Sequence, residues 1–261
     1  MNPTTAIDKN FNLHIKHLPA QKTFLQVFER EGLTYIDSGL VVDTYNVIHI
    51  TDASTVSKDT IEEAVNFYDN RLRKSCIWIE KDKLNKSLLQ IFSELNITHS
   101  ATNEGMSAPV NVLTEGELNP NIVPAYNKQA IIDHAFIIAN NWEPFDTNVL
   151  KYYNTLAETI LDDDNLVLLN YLHDSVPSGA IELFIEPENP KSAGIYNLSV
   201  MKEDRNQGIA TALVKHTIAL AKERGIEQIH LQASDDSKGI FSKMGFKQAG
   251  EFMEYALDAS Y

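Results

Sequence analysis

The chain has one cysteine, Cys76, among 261 residues, so no intrachain disulfide can staple it. Its setting, Cys76-Ile77-Trp78-Ile79, reads as buried strand rather than as a reactive thiol. Basic residues are also scarce, with 22 Lys and Arg against 36 Asp and Glu and a formal charge of −14. The acidic excess holds on both sides of Tyr126, which argues against a nucleic-acid partner and favours a cationic one. No run of about 18 apolar residues is present to cross a membrane. The N-terminal MNPTTAIDKN lacks the charged-then-apolar layout of a secretion signal, so a cytoplasmic protein with no membrane partner is expected. The eight histidines show no His-x-x-x-His or His/Cys spacing, and no metal site is expected. Asp162-Asp163-Asp164 reads as a solvated turn, and Trp78 and Trp142 as core. Nothing in the sequence speaks to oligomeric state.

The most informative segment lies in the last third. A strand-like run, Gly194 to Val200, passes through Met201 to Asp204 into Arg205-Asn206-Gln207-Gly208-Ile209-Ala210 and then an amphipathic helix. A helix start leaves its first N–H groups without intrahelical partners and carries partial positive charge, so such a turn can wrap a phosphate. Gly208 is where a ligand approaches the backbone without meeting a Cβ. Ala210, Leu213, Val214, Thr217, Ile218 and Ala221 recur at helical spacing, and Gly225 is placed to end the helix. Ile229 to Ala233 then alternates like a strand, completing a crossover unit. The Lys-Ser/Thr of a Walker loop and the three glycines of a dinucleotide fingerprint are both missing.

What the segment resembles is the acyl-CoA pyrophosphate loop of the GNAT N-acetyltransferase superfamily, Arg/Gln-x-x-Gly-x-Gly/Ala after a strand. Arg205, Gly208 and Ala210 match it. Leu198 and Val200 match the Leu-x-Val strand ending, and Phe241-Ser242-Lys243-Met244-Gly245-Phe246 resembles the family's Tyr-x-Lys-x-Gly-Phe segment. The resemblance covers residues 121 to 258. It implies acetyl-CoA as acyl donor, held by Leu198, Ser199, Val200, Arg205, Asn206, Gln207, Gly208, Ile209, Ala210, Thr211 and Phe241. It further implies that the phosphate-bearing strand splays from its neighbour, that the Val200 backbone N–H polarises the thioester carbonyl, and that transfer to an amine is direct. The usual acid position holds Phe241 and the usual base position Gly194, neither of which carries a titratable proton. Glu182, on the adjacent strand, is the preferred base, because a carboxylate in a partly buried cleft has its pKa raised toward neutrality. Tyr196 is expected to share the Leu198 and Val200 face as packing.

Around that motif, Lys128 to Asn140 and Thr147 to Leu161 read as helices, the second with Asp146 as N-cap. Leu166 to Leu172 and Gly179 to Ile185 read as a hairpin of strands. A Gly/Pro/Asn-rich stretch at 113 to 125 separates this half from the first. There, Val47 to Ile50, Cys76 to Glu80 and Gly105 to Val112 read as strands, and Thr60 to Leu72 and Leu88 to Leu95 as helices. Phe92 to Ile97 echoes Phe241 to Phe246 at an offset of 149, and Cys76 to Ile79 falls near Ile229 to Gln232 at 153, which suggests a duplicated fold. The counterpart of the phosphate turn, Thr51 to Asp59, has no glycine and carries two carboxylates that repel pyrophosphate.

The expected fold is therefore α/β with two GNAT-like domains, each a mixed, largely antiparallel sheet flanked by helices. Residues 1–115 form a degenerate domain without a pyrophosphate loop, and 121–261 the catalytic one. The expected activity is acetyl-CoA-dependent N-acetyl transfer to a primary amine, of a small molecule first and of a peptide or protein second. A non-catalytic CoA-binding sensor or interaction module is the alternative.

Overall fold

The computed structural model describes residues 2–114 and 116–257. Contacts divide it into two units, one running through Gly105 and taking in the chain from Ala249 onward, the other Met106–Gln248. The break expected at 113 to 125 thus falls inside the second unit, and the expected limits Glu115 and Tyr261 lie outside the described residues.

In the first unit, α1 (Pro3–His17) precedes the hairpin β1 (Gln26–Arg30) and β2 (Leu33–Asp37), neither of which stands out in the sequence. Then follow β3 (Val47–Ile50), α2 (Lys58–Asp69), β4 (Ser75–Glu80), α3 (Lys86–Glu94) and β5 (Ala101–Pro109). Strand β5 leaves this unit after Gly105, and β11 (Lys247–Leu257), last in the chain, joins it, giving the strand order β1-β2-β3-β4-β11-β5. The expected strand over Gly105 to Val112 is correct as far as Pro109, since Val110–Val112 is a 3-10 turn. One face of the sheet buries Tyr35, Ile48, Ile50, Ile77 and Ile79 against Ile61, Tyr68, Leu88 and Phe92 of α2 and α3. Helix α1 escapes its apolar pattern because it also buries polar residues: Asp8 bonds His49 at 3.0 Å and Lys83 at 2.5 Å.

Strands β3 and β4 are parallel and paired along the whole of β3, from Val47↔Cys76 to Ile50↔Ile79. Beyond β3 the chain folds back on the β1–β2 turn, where Thr51 and Asp52 N–H groups donate to Gly32 O. Gly32 is required there twice over, by its φ of +73° and because a Cβ would lie 2.4 Å from Asp52 O.

The second unit contains β6 (Ile122–Pro124), α4 (Lys128–Ala139), α5 (Thr147–Leu161), β7 (Leu166–His173), β8 (Val176–Ile185), β9 (Ser192–Val200), α6 (Ile209–Glu223), β10 (Gln228–Ala233) and α7 (Lys238–Met244). Its strand order is β5-β10-β9-β8-β7-β6. Asp146 caps α5 as expected, accepting from Asn148 N at 2.9 Å. Helix α6 buries Leu213, Val214 and Ile218 against Ile181 and Leu183 of β8 and Ala193 and Ile195 of β9. In chain order one succession occurs twice, from β1 to β5 and from β7 to β11: three antiparallel strands, a helix, a strand parallel to the third, a helix, a last strand. The parallel strands begin 153 residues apart, at Ser75 and Gln228, and the second helices 152 apart, at Lys86 and Lys238.

Glu254, on β11, has its carboxyl pushed up to about 7 by burial and by the nearby Asp43 charge. A folded-state pKa above the unfolded value means the native state holds a proton that the unfolded chain has lost, so this group's contribution falls as pH rises from about 4.3 to 7. Glu254→Gln is therefore expected to raise Tm at about pH 8 and to change it little near pH 4, as read by thermal denaturation across that range. A gain largest at low pH refutes the assignment.

Candidate active site

The site grows from the exit of β9. After Val200 a 3-10 turn, Lys202–Asp204, leads to Arg205 in an extended conformation, Asn206 at φ +61° and Gly208 at φ +84°. Residues 205 to 208 are exposed, whereas Ile209 is buried and Ala210 and Thr211 half-buried. A Cβ on Gly208 meets nothing within 4 Å, so the protein itself leaves that space open, and the positive φ selects glycine.

The start of α6 is electrostatically bare. Among the described helices of eight or more residues, α1, α2, α3, α4 and α5 carry side-chain caps from Asn2, Ser57, Asn85, Asn127 and Asp146. Helix α6 has Gly208 at that position, no side-chain cap and no acidic residue in its first turn. An uncapped helix start beside a left-handed turn is the arrangement that suits a phosphate. Nearby charges are already engaged. Arg205 donates to Asn141 Oδ1 at 2.5 Å and to Val200 O at 3.3 Å, and Lys202 pairs with Glu143. Asp204 is held below the usual carboxylate range, first by the Ser178 hydroxyl and then by His173, whose Nδ1 lies 3.2 Å away.

Strand β9 is forked from β10. Their parallel ladder comprises Ser192↔Gln228, Ala193↔Ile229 and Gly194↔His230 and goes no further, although β9 runs on to Val200 and β10 to Ala233. The side of β9 toward β10 thus has backbone groups beyond Gly194 without a ladder partner, and residues 196 to 199 are only half-buried in mid-sheet. On its other side β9 stays paired with β8 but carries a bulge. Ala180↔Ser199 and Glu182↔Tyr196 span two steps on β8 and three on β9, with Asn197 at φ +53°.

That extra residue reverses the alternation of the strand. Below the bulge Ala193 and Ile195 face the α6 core, and above it Leu198 and Val200 do. Tyr196 consequently does not share the Leu198 and Val200 face, contrary to the expectation from strict alternation. It lies with its register partner Glu182 on the side covered by α4 and α5, where burial, then the Glu186 and Glu182 charges, push its phenol well above its usual pKa.

Glu182 is more deeply placed than expected, at 2% exposure. The Tyr153 hydroxyl of α5 donates to its Oε1, and Asn197 Nδ2 donates to Tyr153 Oη at 3.2 Å, tying the carboxylate to the bulge. His134 of α4 stands 3.5 Å from the same Oε1. On the same face, His230 bonds Ser107 at 2.9 Å and is held below its usual pKa by burial, and Glu186 accepts from Ser192 at 2.7 Å. His134, Tyr153 and Asn141 are the site residues that sequence reasoning missed; the contacts that bring Tyr153 to Glu182 and Asn141 to Arg205 span 29 and 64 positions, and His134 meets Glu182 from another helix, so no local spacing is left to read.

Two expected positions differ in environment. Phe241, on α7, is 3% exposed and packs edge-on to Phe246 in the core. Trp142 is not core but 50% exposed, in the α4–α5 connection, because the chain between Ala139 and Thr147 turns outward. No helix of the described residues is long and apolar enough to cross a membrane.

Comparison with known proteins accords with this geometry. Human N-acetyltransferase 8B is 34% identical over 64 residues, 23% of this chain and 28% of that protein, and its rat counterpart 30% identical over 77 residues, 28% and 35%. The matches thus span about a third or less of those relatives. Among solved structures, a GCN5-related N-acetyltransferase from Kribbella flavida superposes with a TM-score of 0.71 at 12% identity, covering 98% of this chain and 96% of that one. A tandem GNAT protein from the clavulanic acid biosynthesis pathway gives 0.57 at 8% identity, covering 88% and 79%. The family model of the acetyltransferase (GNAT) domain matches residues 122–256, just over half of the sequence, and the chain belongs to the GNAT acetyltransferase family.

Proposed function

We propose that this protein is an acetyl-CoA-dependent N-acetyltransferase acting on a primary amine of a small molecule, with one active site, in the second unit. The observation that carries the reading is the fork between β9 and β10 leading up to the uncapped start of α6. A pantetheine arm is itself an extended amide chain and completes the open edge of β9 as a short strand, with its pyrophosphate on the amides of residues 208 to 211. Val200 N–H supplies the dipole for the thioester oxygen, and Glu182 is the base. Leu198 and Ser199 line the arm, and Arg205, Asn206 and Gln207 frame the phosphates.

The acceptor assignment rests on charge. Glu182 and Glu186 are buried on the sheet face opposite α6, beside Tyr196, and the whole chain carries −14. Such a face attracts a cationic amine and disfavours an anionic acceptor. A peptide or protein amine ranks second. The alternative of a CoA-binding module without turnover draws on Phe241 and Gly194, which supply no proton at the positions where relatives have an acid and a base. Thiol release from acetyl-CoA, with and without a panel of amines, separates the two: amine-dependent release supports transfer, and tight binding with no release supports the module.

Because β3 and β4 are zipped along all of β3 and α2 is capped by Ser57, the first unit offers no second fork. Calorimetric titration of the full chain is expected to give one acetyl-CoA per chain, and a stoichiometry of two overturns the single-site reading.

Gly208→Val is expected to weaken acetyl-CoA binding tens-fold or more. A branched Cβ in the open space above the turn displaces the phosphates from amide donors, each such charged bond being worth about 1.5–3 kcal/mol. A variant with native circular dichroism and unchanged affinity refutes the turn as the phosphate site.

A further inference from the structure

The acceptor face holds a buried titratable side chain with no assigned part in the transfer. Asn170 Nδ2 donates to Ala130 O at 2.7 Å, and a carbonyl only accepts, so the amide oxygen of Asn170 is the atom turned to His134 Nδ1, 2.7 Å away. His134 Nδ1 must therefore carry the hydrogen. A neutral His134 then has its lone pair at Nε2, an atom buried without a hydrogen-bond partner and 3.5 Å from Glu182 Oε1. His134 is fully buried and Glu182 nearly so. A lone pair set against a carboxylate in such a place is repulsive, and one proton on either group turns repulsion into a charge-assisted hydrogen bond.

We propose that His134 and Glu182 titrate together as one base, taking up a single shared proton, with the Tyr153 hydroxyl as the group that delivers it from the acceptor amine. This rests on the acetyl-transfer reading. The acceptor ammonium gives a proton to Tyr153 Oη as the Tyr153 hydroxyl proton passes to Glu182 Oε1. The freed nitrogen lone pair forms the C–N bond at the thioester carbonyl. On collapse the C–S bond breaks, the electron pair leaves on sulfur, and the second nitrogen proton goes to the thiolate. The pair returns its proton to solvent after release, so protons and charge balance. His134 does not reach the substrate and is a positioning residue: its lone pair raises the proton affinity of Glu182. The other groups on this face come from each packed element: Tyr152 and Tyr153 of α5, Tyr196 of β9, Asn170 of β7, and Glu186 beyond β8. Burial and the Glu182 charge push the Tyr152 phenol up, and Tyr196 behaves alike, so both stay neutral near pH 7.

Two measurements on the full chain decide the matter. Long-range nitrogen–proton NMR with labelled histidine, over about pH 5 to 9, is expected to show His134 protonated at Nδ1 and its titration moved by about one unit or more in Glu182→Gln. An Nε2-protonated ring, or a titration indifferent to Glu182, overturns the shared proton even if no variant is active. In kinetics, His134→Leu removes the lone pair and is expected to move the acidic limb of kcat/KM down by about one pH unit, with acetyl-CoA affinity within about twofold of wild type. A uniform loss with the limb unmoved marks a merely structural histidine and overturns the proposal. Wild type that binds acetyl-CoA and acetylates no amine defeats the transfer reading itself, and with it the role of the pair as a base.

Discussion

The second unit is organised by a parallel ladder that stops. Backbone amides and carbonyls in mid-sheet normally find partners, and leaving several without them is costly. Between β9 and β10 the pairing ends after Gly194↔His230, and the rest of the local structure accommodates that ending. The bulge at Asn197 keeps β9 bonded to β8 while bending it, and it turns Leu198 and Val200 back onto α6. With Tyr196 held opposite Glu182, a strand without the extra residue would turn Leu198 and Val200 away from α6 to the face that carries Glu182. Fork, bulge and polar face are thus one feature. The first unit makes the comparison clear: with β3 and β4 zipped along β3 and the following loop folded on Gly32, no fork opens between its parallel strands among the described residues.

How much of this was legible in the sequence follows from which interactions are local. Helix α6 was readable almost to its ends, Ile209–Glu223, because a 3.6-residue apolar repeat and a following glycine are local signals. The Asp146 cap was readable for the same reason. The turn that leads into α6 was readable because Arg205, Gly208 and Ala210 lie within six residues. The fork was expected only through family resemblance, since strand separation has no local code. Alternation misassigned Tyr196 because a bulge changes parity without changing composition, and Asn197 at φ +53° looks like any strand asparagine until the register is known. Helix α1 was missed because its inner face includes Asp8 and Asn10, residues that a hydrophobicity pattern counts as outward.

Each unit buries a histidine beside a carboxylate. In the first, His49 has both ring nitrogens within 3.1 Å of acceptors, Asp8 and Asn12, and Lys83 neutralises Asp8, whose carboxyl stays low because those partners outweigh the effect of burial. Each ring nitrogen of His49 thus has a polar neighbour within hydrogen-bond distance. In the second, His134 has one nitrogen satisfied by Asn170 and the other facing a carboxylate at 3.5 Å with no bond between them. An unmet buried acceptor weakens the native state. That unpaired nitrogen, on the face that carries Glu182 and Tyr196, is the observation on which the shared-proton proposal draws.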